Sequence, residues 1–351
     1  MKLKFWIANL SLAHRWAIAG REGSNLHQVV LVELDDGGGI TGLGEAAPSA
    51  MYGETPASVM AFCQRVDPAK LSFADVAGSM SYLAALAPKE MAAQCAFNLA
   101  LVDGAAKRAE QPVCDFLGLG FREDHHVTSF SIGIDEPDII RKKTLAAEQY
   151  PVLKLKIGGA QDRQNLGALR QAAPAKAVRV DANEGWKTKE HALEMIEWLA
   201  TDPHIEFVEQ PMPCTAPAKD FAWLKARSPL PIFADESYHT AHDAERCAEC
   251  FHGVNVKLVK TGGVSGAHAA LLAARKAGLK TMIGCMIETS VLISAGANLA
   301  ALADYLDLDG NLLITNDPYI GVTAFKGLLS FANAPQKTGL RVQLTSPPPP
   351  A

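Results

Sequence analysis

Three acids, each closing a short apolar run, constrain this chain more than any other feature. The runs are Val178-Arg179-Val180-Asp181-Ala182-Asn183, Phe207-Val208-Glu209-Gln210-Pro211 and Ile232-Phe233-Ala234-Asp235-Glu236. Branched and aromatic residues dominate each run, which reads as a buried strand. The acids stand 28 and 26 residues apart, about one strand plus one helix, the repeat of a β/α barrel. Neighbouring barrel strands are parallel, so all three carboxylates are expected on one rim. Three hard oxygen donors converging there suit Mg²⁺, and Asp181, Glu209 and Asp235 are the expected metal ligands.

Lysines extend the series on both sides. Val152-Leu153-Lys154-Leu155-Lys156-Ile157 precedes the acids, and Val254-Asn255-Val256-Lys257-Leu258 follows them. Alone, a strand-end Asp reads as a helix cap and a Lys-x-Lys as a solvated face. Five such groups on five successive strand–helix units do not. Both lysines of Lys-x-Lys share one strand face. Amid Val, Leu and Ile that face is the interior or mouth of the barrel, where unpaired charge is expensive. The first and last of the five strands lie on opposite sides of the metal, so two amines face each other across a substrate.

The rest of the sequence fits this frame. Residues 1 to about 50 are β-rich. Val29–Leu34 is a strand, Asp35–Gly39 a turn and Ile40–Glu45 its hairpin partner. Residues 55–120 carry helical periodicity. From Val127, strands begin near Val127, Val152, Val178, Ile205, Ile232, Val254, Thr281 and Leu306, with helices between them, the last spanning Leu292–Tyr305. The expected fold class is α/β: a (β/α)7β TIM-type barrel over 123–317, with an N-terminal α+β capping domain over 1–122 completed by 318–345. The proline-rich 346–351 reads as a disordered tail. A net charge of −5 and the lack of a long basic cluster argue against nucleic acid as a partner. No segment is long and apolar enough to span a membrane. The opening Phe5–Ala13 run reads as a strand rather than a signal peptide. Seven scattered cysteines suit a reducing, cytoplasmic setting, and Cys247-x-x-Cys250 lacks a second pair for zinc.

Several segments together resemble the enolase superfamily, in its muconate-lactonizing subgroup. They are Gly42-Leu43-Gly44-Glu45-Ala46-Ala47-Pro48, the stretch from Ala96 to Gly118, Asp181-Ala182-Asn183-Glu184-Gly185-Trp186, Glu209-Gln210-Pro211 and Asn255–Gly263. The resemblance implies abstraction of a proton α to a carboxylate, one Mg²⁺ stabilising the enolate, and Lys156 and Lys257 as bases on opposite faces of the carbon. Lys154 is then expected to contact the substrate carboxylate. Epimerases, cycloisomerases, o-succinylbenzoate synthases and N-acylamino acid racemases share these motifs, and the lysines alone leave all four open. Leu306-Asp307-Leu308-Asp309 resembles the Asp-x-Asp with which dipeptide epimerases hold a free α-ammonium. Cys285, Met286 and Ile287 match their pocket wall, and Ser131 a substrate contact. Arg21 falls where L-Ala-D/L-Glu epimerases place an arginine for the glutamate side chain. The implied activity is epimerisation of the C-terminal residue of a dipeptide, Ala-Glu foremost and hydrophobic dipeptides next, in peptidoglycan-peptide recycling and by a homo-oligomer.

Overall fold

In the computed structural model, which describes residues 1–20 and 22–345, an antiparallel sheet and four helices cover an eight-stranded parallel sheet. The long strands β1 (Lys2–Trp16) and β2 (Ser24–Asp35) pair from Lys2↔Asp35 to Trp16↔Ser24, and β3 (Thr41–Ala46) completes the sheet. Helices α1 (Pro56–Arg65), α2 (Val76–Leu86), α3 (Met91–Arg108) and α4 (Val113–Phe116) follow. Thr55 and Ser58 form a reciprocal capping box at the start of α1, with Pro56 in the first turn. The glycines of Gly42-Leu43-Gly44 have a packing reason. A Cβ on Gly44 would land on the Ala96 carbonyl oxygen of α3, and one on Gly42 on the Ala100 carbonyl, so only glycine lets β3 lie this close to the helix.

Seven strand–helix units and a final strand make the second layer. The strands are β4 (Phe130–Ile132), β5 (Val152–Lys156), β6 (Ala177–Asp181), β7 (Ile205–Glu209), β8 (Ile232–Ala234), β9 (Gly253–Lys257), β10 (Lys280–Gly284) and β11 (Tyr305–Asp307), hydrogen-bonded in that order. Between them run α5 (Pro137–Ala146), α6 (Asp162–Ala172), α7 (Lys189–Leu199), α8 (Ala218–Lys225), α9 (Ala244–Cys250), α10 (Leu258–Thr261), α11 (Val264–Lys276) and α12 (Ser290–Ala297). A parallel bridge from Thr128 to Leu306, with the Ser129 N–H donating to the Leu306 carbonyl, nearly closes the barrel. The β12 strand (Tyr319–Ile320) pairs with β15 (Gln343–Leu344), and β13 (Thr323–Phe325) with β14 (Leu328–Ser330). Residues 339–340 hydrogen-bond to Val113 and Asp103 of α4 and α3.

Alternation along the strands builds the interior in layers. Leu153 and Leu155, Val178 and Val180, and Ile232 and Ala234 join the buried cluster shared with the helices. The other face of the same strands points inward. Its lower layer is largely aromatic: Phe207 stacks on Phe233 at 4.2 Å, beside Met282 and Tyr305, and the buried Arg179 guanidinium lies over the Phe207 and Tyr305 rings. Two residues further along these strands stand Glu209, Asp235, Gly284 and Asp307. The charged layer thus rests on an aromatic floor.

Two details differ from the sequence reading. The helix expected over Leu292–Tyr305 is α12, Ser290–Ala297, a short 3₁₀ turn follows, and Tyr305 opens β11. Asn298 stops it: its amide group donates to the Ser294 carbonyl while its Oδ1 accepts from the Cys114 N–H of α4. Regular pairing of β4 starts at Phe130 rather than near Val127, because Val127 and Thr128 bridge Leu328 and Leu306 instead. The 346–351 tail lies outside the described residues.

Candidate active site

Strand register brings the acids and lysines together. Lys156 is paired with Asp181 across β5 and β6, and Asp181 with Glu209 across β6 and β7. Gly284 of β10 lies between Lys257 and Asp307. The chain leaves two of the acids through left-handed backbone, at Asn183 (φ 41°), Glu184 (φ 64°) and Gln210 (φ 34°). Such conformations cost energy in non-glycine residues and cluster at functional sites.

Asp181, Glu209 and Asp235 are fully buried, and each has a carboxylate oxygen within 4.8 Å of the others'. Lys156 Nζ donates to Asp181 Oδ2 at 2.6 Å, and Lys257 Nζ to Asp235 Oδ2 at 2.7 Å. Asn255 Nδ2 donates to Glu209 Oε1 at 2.7 Å. The other oxygen, Oε2, lies 2.8 Å from Lys154 Nζ in a buried ion pair. Burial and the neighbouring Asp181 push the Glu209 carboxyl up to about 7. Three buried hard carboxylates converging within 4.8 Å fit a divalent cation.

Lys260, which the sequence reading passed over, belongs to this cluster. Its Nζ donates to Asp235 Oδ1 at 2.6 Å and to the Asp235 and Asn255 carbonyls. Burial lowers the Lys257 amine, but Asp235 outweighs it and holds the amine well above its ordinary value. A cation held by these acids would compete with Lys156 and Lys257 for their carboxylates.

Above the cluster opens a cleft between the capping sheet and the barrel mouth. Lys156 and Lys257 both line it, with Ser131, Cys285, Met286, Ile287, Asp307 and Asp309. Lys154 does not line it. Only 1% exposed, it lies beneath and joins Asp181 (3.1 Å), Glu209 (2.8 Å) and Asp307 (2.7 Å). Asp307 also accepts from Ser129 Oγ at 2.8 Å, and Asp309 from the Ser131 N–H at 2.6 Å. Burial would raise the Asp307 carboxyl, but Lys154 and Lys156 hold it at about 2. Burial, helped by Asp307, pushes Asp309 up to about 6. Arg21 lies outside the described residues. The capping side contributes Trp16, Ile18, His27 and Tyr52, none of which sequence reasoning singled out. Gly310, beyond the acid pair, is pressed against the Met286 carbonyl and has no room for a side chain.

Residues 13–118 match the mandelate racemase/muconate lactonizing enzyme N-terminal domain, and residues 140–344 match the enolase C-terminal domain-like family. The chain belongs to the enolase superfamily. Within that superfamily it is 65% identical over 345 residues to an L-Ala-D/L-amino acid epimerase of Pedosphaera parvula, covering 98% of this chain and 99% of the relative. Two solved structures share the fold almost throughout. The L-Ala-D/L-Glu epimerase of Bacillus subtilis, in a substrate-liganded complex, gives a TM-score of 0.89 at 27% identity, covering 97% of each chain. The dipeptide epimerase of Cytophaga hutchinsonii, complexed with Mg and D-Ala-L-Val, gives 0.90 at 25% identity, covering 98% of this chain and 96% of that one.

Proposed function

We propose that this enzyme is a Mg²⁺-dependent dipeptide epimerase that inverts the α-carbon of the second residue. The observation that carries the reading is that Lys156 on β5 and Lys257 on β9 both line one cleft with Asp307 and Asp309, while the three strands between them carry the buried acids. The relatives' activities support it. Asp181, Glu209 and Asp235 would hold the cation, which supplies Lewis-acid stabilisation of the negative charge that builds on the substrate carboxylate as the α-proton leaves.

The chain's own groups do the rest. Asp307 and Asp309 hold the dipeptide's ammonium by charge-assisted contacts, which fixes the second residue between the two lysines. One lysine removes the α-proton from its face, and the other returns a proton to the opposite face. Lys154 keeps its proton against three carboxylates and ties the acid cluster to Asp307. The capping sheet covers the cleft and limits water at the reacting carbon. A free amine favours a dipeptide over the N-acylamino acids and succinylbenzoate precursors of the sister reactions, which offer these two acids no cation. Seven free cysteines, most of them buried, support a cytoplasmic site of action. Among the described residues, no helix is long and apolar enough to cross a membrane.

Metal removal tests the reading. EDTA-treated protein should lose epimerisation of L-Ala-L-Glu and regain it on adding Mg²⁺. Asp235→Asn should lower Mg²⁺ affinity in calorimetry by more than the ~10–100-fold typical of groups behind the ligands, with the fold retained. Full turnover without divalent metal contradicts the proposal.

A further inference from the structure

Buried side-chain atoms without hydrogen-bond partners are rare in native proteins, and each calls for a reason. Among the described residues, four residues with such atoms line the one cleft: His27, Tyr52, Asn183 and Glu236. Asn183 and Glu236 flank the metal acids in sequence. His27 is remote from them, on β2, held in register opposite Leu10 of β1. Its Nε2 is buried and unpartnered.

The position of His27 limits what can reach it, given the epimerase reading above, on which this inference rests. With the ammonium at Asp307 and Asp309 and the reacting carbon between Lys156 and Lys257, the barrel below is filled by Lys154 and the aromatic floor. The side chain on the reacting carbon must leave toward the capping sheet. The wall it meets is largely apolar, formed by Trp16, Ile18, Ile287 and Leu313. Of the polar groups there, Ser24 Oγ already donates to the Leu26 carbonyl and accepts from the Leu26 N–H, and Glu22 is exposed at the rim. Among the described residues on the β1–β2 side of this wall, His27 presents a buried polar atom with nothing to bond; the Tyr52 hydroxyl is also buried without a partner, but its charged neighbours are Asp235 and Lys257 at the metal acids. We propose that His27 hydrogen-bonds the polar end of the second residue's side chain and so sets a preference for amide- or carboxylate-ended residues over apolar ones of equal length. Burial also lowers the imidazole's proton affinity, which keeps the ring neutral and lets one nitrogen donate while the other accepts.

The test compares kcat/KM for L-Ala-L-Gln, L-Ala-L-Glu and the near-isosteric L-Ala-L-Met in the native enzyme, His27→Phe and His27→Gln. The native enzyme should favour Gln or Glu over Met by about tenfold, one well-made hydrogen bond to a group otherwise left unpaired. That ratio should collapse toward one in His27→Phe and partly return in His27→Gln. Gln as the better substrate at every pH identifies an amide. Glu, with a preference that grows as pH falls, identifies a carboxylate bound together with a proton on the ring. A native enzyme without polar preference, or a His27→Phe variant that lowers all three substrates equally, overturns the assignment of His27 alone. Failure of the native enzyme to epimerise any of the three overturns the epimerase reading, and the role of His27 with it.

Discussion

Lys154 Nζ donates to Asp307 Oδ2 at 2.7 Å across 153 residues of chain, joining the second barrel strand to the eighth beneath the cleft. Asp307 is therefore already partnered, while Asp309 is bonded to a backbone N–H and keeps its charge for the cleft. Under the proposed function both acids would face the ammonium, with Asp309, not ion-paired to Lys154, as the freer contact.

Asp309→Asn should consequently be the cleaner probe of amine recognition. A charge-assisted contact is worth about 1.5–3 kcal/mol, so kcat/KM for free-amine dipeptides should fall about ten- to several-hundredfold at 1.4 kcal/mol per decade. N-acetylated dipeptides should be poor substrates and change little. Because burial places the Asp309 carboxyl near 6, it is protonated below that pH and ionised above it. Native kcat/KM should drop as pH falls through about 6, and the variant should lose that limb of the profile. An unchanged profile in Asp309→Asn counts against the role.

Lys156→Ala and Lys257→Ala should each abolish epimerisation, with a loss of at least the ~10²–10⁴-fold typical of a positioned acid or base. Each variant should still exchange the α-proton of one epimer with solvent, the two variants serving opposite epimers. Proton NMR of both epimers in deuterated water reads this directly. Normal epimerisation by either variant contradicts a two-base arrangement.

Glu45 predicts a stability effect away from the chemistry. From β3 it accepts hydrogen bonds from the Thr289 N–H (2.8 Å), the Thr289 hydroxyl (2.6 Å) and the Leu292 N–H (3.0 Å), locking the capping hairpin onto the start of α12. Burial pushes its carboxyl from 4.5 up to about 7 against those donors. A raised carboxyl binds its proton more tightly folded than unfolded. Its contribution is therefore complete below pH 4.5 and lost as pH rises through about 7. Glu45→Gln, which turns an amide toward these donors, should cost about 1–3 kcal/mol and flatten this part of the pH dependence in thermal unfolding. An identical pH slope in the variant counts against the assignment.

The metal acids and the lysines were legible in the sequence because each ends an apolar run and the runs recur at the barrel repeat. The starts of β5 to β11 were legible for the same reason, while that of β4 was not. Lys260 was not, since it sits three residues past Lys257 on a short helix and looks like an ordinary surface lysine until the fold turns it onto Asp235. His27 occupies a polar position of an alternating strand, the pattern of a solvent face. Only the barrel mouth beneath that sheet makes its position interior. Lys154 shares a strand face with Lys156, yet two residues along β5 separate a buried counter-charge from a group in the cleft. Periodicity cannot tell depth along a barrel axis. The end of α12 was misread because Asn298 stops the helix through a contact with α4, distant in sequence.

The most direct test of the central claim is where solvent hydrogen enters the substrate. Native enzyme with Mg²⁺ and L-Ala-L-Glu in deuterated water should yield L-Ala-D-Glu with one deuterium at the glutamate α-carbon and none at the alanine α-carbon, read by mass spectrometry and proton NMR. Inversion without label at that carbon, label on alanine, or no inversion with this or any other free-amine dipeptide would contradict a two-base proton transfer between Lys156 and Lys257.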